Sequence, residues 1–98
     1  MNQSKEQQIR EEREKAWIGD AVLCLFARKF VLRERQVMDA EWFTHLTSNG
    51  FLSALGNPTS VEAKIGSIYA EEGLEAAFAW MDQTLIPLFR KQMANKKR

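Results

Sequence analysis

The sequence has few of the residues that punctuate or crosslink a chain. Its 98 residues include one cysteine (Cys24), two prolines and five glycines. A single thiol closes no internal disulfide and makes no CxxC or zinc-ribbon ligand set, so a reducing compartment is expected. There is one histidine, His45. No Ser/His/Asp signature, HExxH pair, glycine-rich phosphate loop or EF-hand pattern is present. Alternating apolar and polar runs are almost absent, which argues against strands. The longest unbroken apolar stretch runs from Ala21 to Ala27, far short of the roughly 20 residues that cross a bilayer. The polar opening from Met1 to Lys15 does not read as a secretory signal. The expectation is a single domain over residues 1–98 with no membrane association, cytoplasmic or organellar and not secreted.

Charge is close to balanced, at a formal net +1, but it is unevenly placed. Arg90, Lys91, Lys96, Lys97 and Arg98 form a basic tail with no acid. Residues 1–89 hold nine basic and thirteen acidic side chains, net −4. The tail reads either as a helix C-terminus favoured by cations or as a contact for nucleic-acid phosphates. On the second reading Lys96, Lys97 and Arg98 are the candidate RNA-binding residues. Aromatic residues are abundant for so short a chain, with three Trp, six Phe and one Tyr. A domain of this size buries only about 60–65% of its surface, so part of that aromatic area is expected to be covered by a second copy.

Helical spacing runs through the chain. Residues 1–15 read as a polar lead-in, helical from Ser4 to Lys15. From Ala16 to roughly Arg35 the apolar residues cover nearly the whole circumference, as in a central, buried helix. Asp39 caps a segment from Ala40 to about Leu55, with a bend expected at Ser48-Asn49-Gly50. Gly56-Asn57-Pro58 is a stop. Thr59-Ser60-Val61-Glu62 has the pattern of a capping box, opening a helix to about Glu72. Gly73 reads as its C-cap. The last helix starts near Leu74 and carries one apolar face through Phe89, with a kink expected at Pro87. The expected fold class is all-α, a compact bundle of four or five helices.

Two carboxylates stand out. Asp20 lies in the most apolar helix, where a charge is costly unless paired, hydrogen-bonded or metal-bound; the plainer reading places it on a narrow exposed strip. Glu62 ends the capping-box pattern, and its plainer role is to reach back to the Thr59 amide. His45 alone reads as a surface or half-buried residue. Cys24, in apolar surroundings that raise a thiol pKa, is a poor nucleophile. What is left for catalysis is carboxylate–metal chemistry, with two carboxylates on neighbouring helices holding Mg²⁺ through oxygen and water.

Three stretches together resemble a known family. Glu14-Lys15-Ala16-Trp17-Ile18-Gly19-Asp20-Ala21-Val22 resembles the signature helix of the ribonuclease III family, written LEFLGDAV, and most of all its short Mini-III branch, AYIGDA. Val61-Glu62-Ala63-Lys64-Ile65-Gly66-Ser67-Ile68-Tyr69 resembles the second hallmark, VEALIGAIY. It is followed by Glu71 to Ala77, similar to the family's xGGLEAA. Leu46 to Gly56 is similar to the helix between the hallmarks. The resemblance covers Lys15 to about Phe89 and implies an all-α endonuclease domain, a homodimer that cuts double-stranded RNA with Mg²⁺ (Mn²⁺ as a substitute). It implies Asp20 and Glu62 as the catalytic metal ligands, with Glu41 or Asp39 at a further acidic position. It also implies a dimer interface at Trp17, Ile18 and Ala21, with Trp17 seated in the partner subunit.

The departures from the family pattern are specific. Ala16 stands where the larger family has a glutamate, as in the Mini-III branch. Thr59 stands where the second motif has an aspartate, so two of four usual carboxylates remain. The 42 positions from Asp20 to Glu62 are fewer than in typical members, and no double-stranded-RNA-binding domain follows within the sequence. These departures favour an alternative, a catalytically silent RNA-binding or structural subunit of the same fold.

Overall fold

A computed structural model describes residues 4–96. Its elements are helices: α1 (Lys5–Arg35), α2 (Ala40–Thr47), α3 (Asn49–Leu52), α4 (Pro58–Glu72), α5 (Leu74–Thr84) and α6 (Ile86–Lys96). Five of them exceed one turn, and no strand occurs among the described residues. The expected all-α bundle is what the chain forms.

The lead-in and the apolar segment are one continuous helix of 31 residues. Ser4 opens α1 with a capping box: its hydroxyl accepts from the Gln7 amide at 3.1 Å, and the Gln7 side chain answers the Ser4 amide. Nothing between Lys5 and Arg35 breaks the ladder, since the stretch has no proline and its one glycine, Gly19, is tolerated. Gln36, at φ 60°, turns the chain out of the helix.

The core is built on one side of α1. Val22, Leu23, Phe26, Ala27, Phe30 and Val31 pack with Leu46, Phe51, Leu52, Val61, Ile65, Ile68, Ala77, Met81, Leu85 and Phe89. Phe89 is its aromatic hub, edge-on to Trp42 at 5.0 Å and to Phe30 at 5.7 Å between centroids. The expectation that α1 is buried all round is corrected here. Only five helices surround so small a core, so the opposite face of α1 is left outside, with Trp17 79%, Ile18 44%, Leu25 43% and Leu32 49% exposed.

Two further boundaries differ from the sequence reading. The segment after Asp39 is cut in two at Ser48, whose extended backbone ends α2 while its hydroxyl caps α3 through the Phe51 amide at 3.0 Å. The last helix is divided at Leu85 rather than kinked. Pro87, lacking an amide hydrogen, sits in the first turn of α6, where no donor is needed. Gly73 behaves as expected, closing α4 at φ 97° with its amide on the Tyr69 carbonyl.

Candidate functional site

The site forms where α1 crosses α4. Helix axes normally stay about 8–10 Å apart; at this crossing each helix contributes a glycine, which lets the two backbones meet directly. A Cβ added to Gly19 would collide with the Glu62 carbonyl, and one added to Gly66 would collide with the Lys15 carbonyl. Both residues are buried and mid-helix. The sequence reading did not single them out as contacts. Their signal was there: a glycine inside a helical pattern costs about 1 kcal/mol against alanine, which close backbone approach explains.

That crossing brings Asp20 and Glu62 together. Asp20 follows Gly19 on α1 and is exposed on the flank facing α4; Glu62 is half-buried. The Glu62 carboxyl is hydrogen-bonded to Asp20 and its pKa is pushed up from 4.5 to about 7. Burial is the largest cause, the hydrogen bond to Asp20 the next, and the Asp20 charge the third. The plainer reading of Asp20 holds in that it is exposed, and it is also paired with Glu62.

The capping role expected for Glu62 is corrected. Asn57, not Thr59, is the N-cap of α4, its side chain accepting from the Ser60 amide at 3.2 Å. Pro58 takes the first helical position, where its fixed φ suits the helix and its missing donor costs nothing. The helix therefore starts two residues earlier than the Thr59 box requires. Glu62 lies a turn inside, too far along to cap, and its carboxyl turns to Asp20.

Cys24 sits one turn along α1 from Asp20, its Sγ 4.0 Å from Asp20 Oδ1. Burial pushes its thiol pKa up, Asp20 adds to the rise, and Arg28 opposes it. The thiol is thus kept in its poorly nucleophilic form at the edge of the carboxylate pair.

Other residues read from the sequence lie elsewhere. Glu41, at the start of α2, is paired with Lys96 at 3.6 Å, both side chains largely exposed. Asp39 caps α2 through the Trp42 amide at 3.0 Å and meets Arg35 at 3.2 Å. Among the described residues no three His, Cys, Asp or Glu side chains gather as a metal-binding group, so neither Glu41 nor Asp39 completes a set with Asp20 and Glu62. His45 is half-buried, Nε2 2.8 Å from Gln92 Oε1, its ring between Phe51 and Phe89. Lys97 and Arg98 lie outside the described residues. No described helix is long and apolar enough to cross a membrane.

Two hard carboxylates, one exposed and one at the rim, fit a water-rich Mg²⁺ site, because that ion keeps several waters and takes one or two protein carboxylates. Burial first, and Asp20 after it, raise the Glu62 pKa; a dication between the two carboxylates would favour the ionised form.

Comparison with family models, with curated proteins and with solved structures returns no match for this chain.

Proposed function

We propose that this protein is a minimal Mg²⁺-dependent endoribonuclease that cuts double-stranded RNA as a homodimer. The observation that carries the reading is the placement of Glu62. Relieved of capping by Asn57, it stands against Asp20 across a crossing that two glycines draw tight. Those four residues fall in the two stretches that resemble ribonuclease III, so chemistry and resemblance point to one place.

In this reading Asp20 and Glu62 hold the cation, which when bound supplies charge stabilisation at the phosphodiester and an activated water. Asp20, exposed, faces the RNA side. Glu62 would hold the cation in its ionised form and orient water beside it. Cys24 closes the inner edge and stays protonated. Arg28, whose guanidinium lies 4.6 Å over the Phe43 ring, is held near the site as a fixed positive charge. Duplex RNA is recognised by shape, phosphates and 2′-hydroxyls, which suits a compact dimer. Trp17, Ile18 and Ala21 supply the dimer surface, and Lys96 with Lys97 and Arg98 supplies phosphate contacts.

A second reading, a silent RNA-binding or structural subunit, draws on the absence of a third ligand side chain among the described residues. The test that separates them is hydrolysis of an end-labelled RNA duplex in Mg²⁺ and in EDTA, with wild type beside Glu62→Gln. Mg²⁺-dependent cutting that Glu62→Gln loses supports the nuclease. A folded protein that shifts the duplex on a gel but never cuts it supports the silent subunit.

A further inference from the structure

We propose that the hollow between α1 and the start of α2 is a nucleobase site, which takes one unpaired base of an RNA strand whose scissile phosphate lies at the Asp20–Glu62 pair. The proposal rests on the ribonuclease reading above and narrows its substrate to a duplex with an unpaired nucleotide near the bond that is cut.

The hollow has a volume of about 290 Å³. Small-ligand sites run from roughly 300 to 1,000 Å³, so it suits one planar ring and not a helix. Val31, Leu32, Ala40 and Phe43 make it largely apolar. Met38 stands at its lip, 90% exposed, and a thioether side chain adapts its shape to whatever it covers. The acid in its lining, Asp39, is already engaged by the Trp42 amide and by Arg35.

Arg28 supplies the polar part of the site. Its guanidinium lies 4.6 Å over the Phe43 ring, which fixes the group in place. No carboxylate of the described residues forms an ion pair with it. A guanidinium plane has two faces. Phe43 takes one, which leaves the other for a base; unstacked RNA bases are held in this way by arginine planes and aromatic rings. The same cation attracts the phosphate attached to that base.

Placement ties the hollow to the carboxylates. Asp20, Cys24 and Arg28 follow at intervals of four on one ridge of α1, and Cys24 Sγ lies 4.0 Å from Asp20 Oδ1. Arg28 is thus about 12 Å along the helix from Asp20. A stacked nucleic-acid strand rises roughly 3.4 Å per residue, so the span is the reach of a few nucleotides. Lys96 meets Glu41 at 3.6 Å, the residue after Ala40, and brings the base of the basic tail to the same end of α2. A paired base stays in its stack, whereas an unpaired one leaves it at the least cost. An apolar acid would also fill the hollow, but it would not explain a place on the same ridge as Asp20.

Binding tests this apart from cleavage. Fluorescence anisotropy at low salt compares a fully paired RNA duplex with one holding a single unpaired adenosine. Both are measured in EDTA and again with Ca²⁺, another cation that takes oxygen ligands. Stacking of one base on a side chain changes affinity from about fivefold to over a hundredfold. The wild type is expected to bind the bulged duplex about tenfold more tightly. Ala40→Trp fills the hollow, and Arg28→Lys keeps the charge but removes the planar face. Both positions are exposed, and circular dichroism checks that helix content is kept. Each variant is expected to bring the ratio of the two affinities close to one. Equal affinity of the wild type for the two duplexes overturns the nucleobase site and leaves the nuclease reading standing. A preference that survives both substitutions puts the base elsewhere and overturns it as well. No binding of either duplex in either condition overturns this site together with the RNA reading beneath it.

Discussion

The Glu62 carboxyl is hydrogen-bonded to Asp20 across the α1–α4 crossing, and burial together with this contact raises its pKa to about 7. The folded state therefore binds this proton more tightly than the unfolded chain, for which 4.5 is the ordinary value. The stability lent by the protonated pair is whole below that value and is lost as pH rises through about 7. In the absence of divalent cation, the thermal midpoint is expected to fall across this window. In Glu62→Gln, which cannot ionise, that part of the slope disappears. Melting curves by circular dichroism measure both; an identical slope in the variant contradicts the assignment.

The glycine crossing sets a second expectation. Gly19→Ala drives a methyl into the Glu62 carbonyl, and Gly66→Ala drives one into the Lys15 carbonyl. Both neighbours are backbone and cannot step aside by changing rotamer. Each substitution is expected to cost about 3 kcal/mol, the upper range of overpacking, although alanine is the better helix former. Urea unfolding reads this directly. A stabilised Gly19→Ala would mean that the helices are farther apart than described.

The caps separate structure from chemistry. Asn57→Ala removes the side chain that holds the Ser60 amide and is expected to cost about 1 kcal/mol. It is expected to leave cleavage intact, since Asn57 does not touch the carboxylate pair. Glu62→Gln is expected to do the reverse. Unfolding and cleavage measured on both proteins check the crossed pattern.

Trp17 is expected to matter only between copies. At 79% exposure its removal leaves the protomer's own stability within about 0.5 kcal/mol. As an anchor it is expected to weaken association by at least about 2 kcal/mol, roughly thirtyfold in Kd. Sedimentation across a concentration series gives the second quantity. Trp17→Ala with an unchanged Kd removes Trp17 from the interface.

Much of this arrangement was legible in the sequence. Helical spacing located α1, α2, α4 and α5 but ran α5 and α6 together, and Gly73 was placed as a cap because no other residue type takes its φ so readily. The errors have local causes. Thr59 matched a capping pattern, but Asn57-Pro58 just upstream is a stronger start, and the competition moved Glu62 from cap to site. Circumferential apolarity in α1 was read as burial, yet so short a chain has too few helices to enclose it. The split at Leu85 arises because Pro87 suits the first turn of a new helix better than the interior of an old one. The approach of Gly19 to Gly66 joins residues 47 positions apart, and one-dimensional spacing carries no account of which helices cross.

The claim that Asp20 and Glu62 form one cation site is tested most directly by calorimetric titration of Mg²⁺ into the wild type, Asp20→Asn and Glu62→Gln at about pH 6 and about pH 8. A ligand that must displace the Glu62 proton binds more weakly at the lower pH and releases protons on binding. The account predicts that pattern in the wild type and its loss in both variants, with helix content unchanged. Equal binding by all three proteins, or no binding by the wild type at either pH, would contradict it.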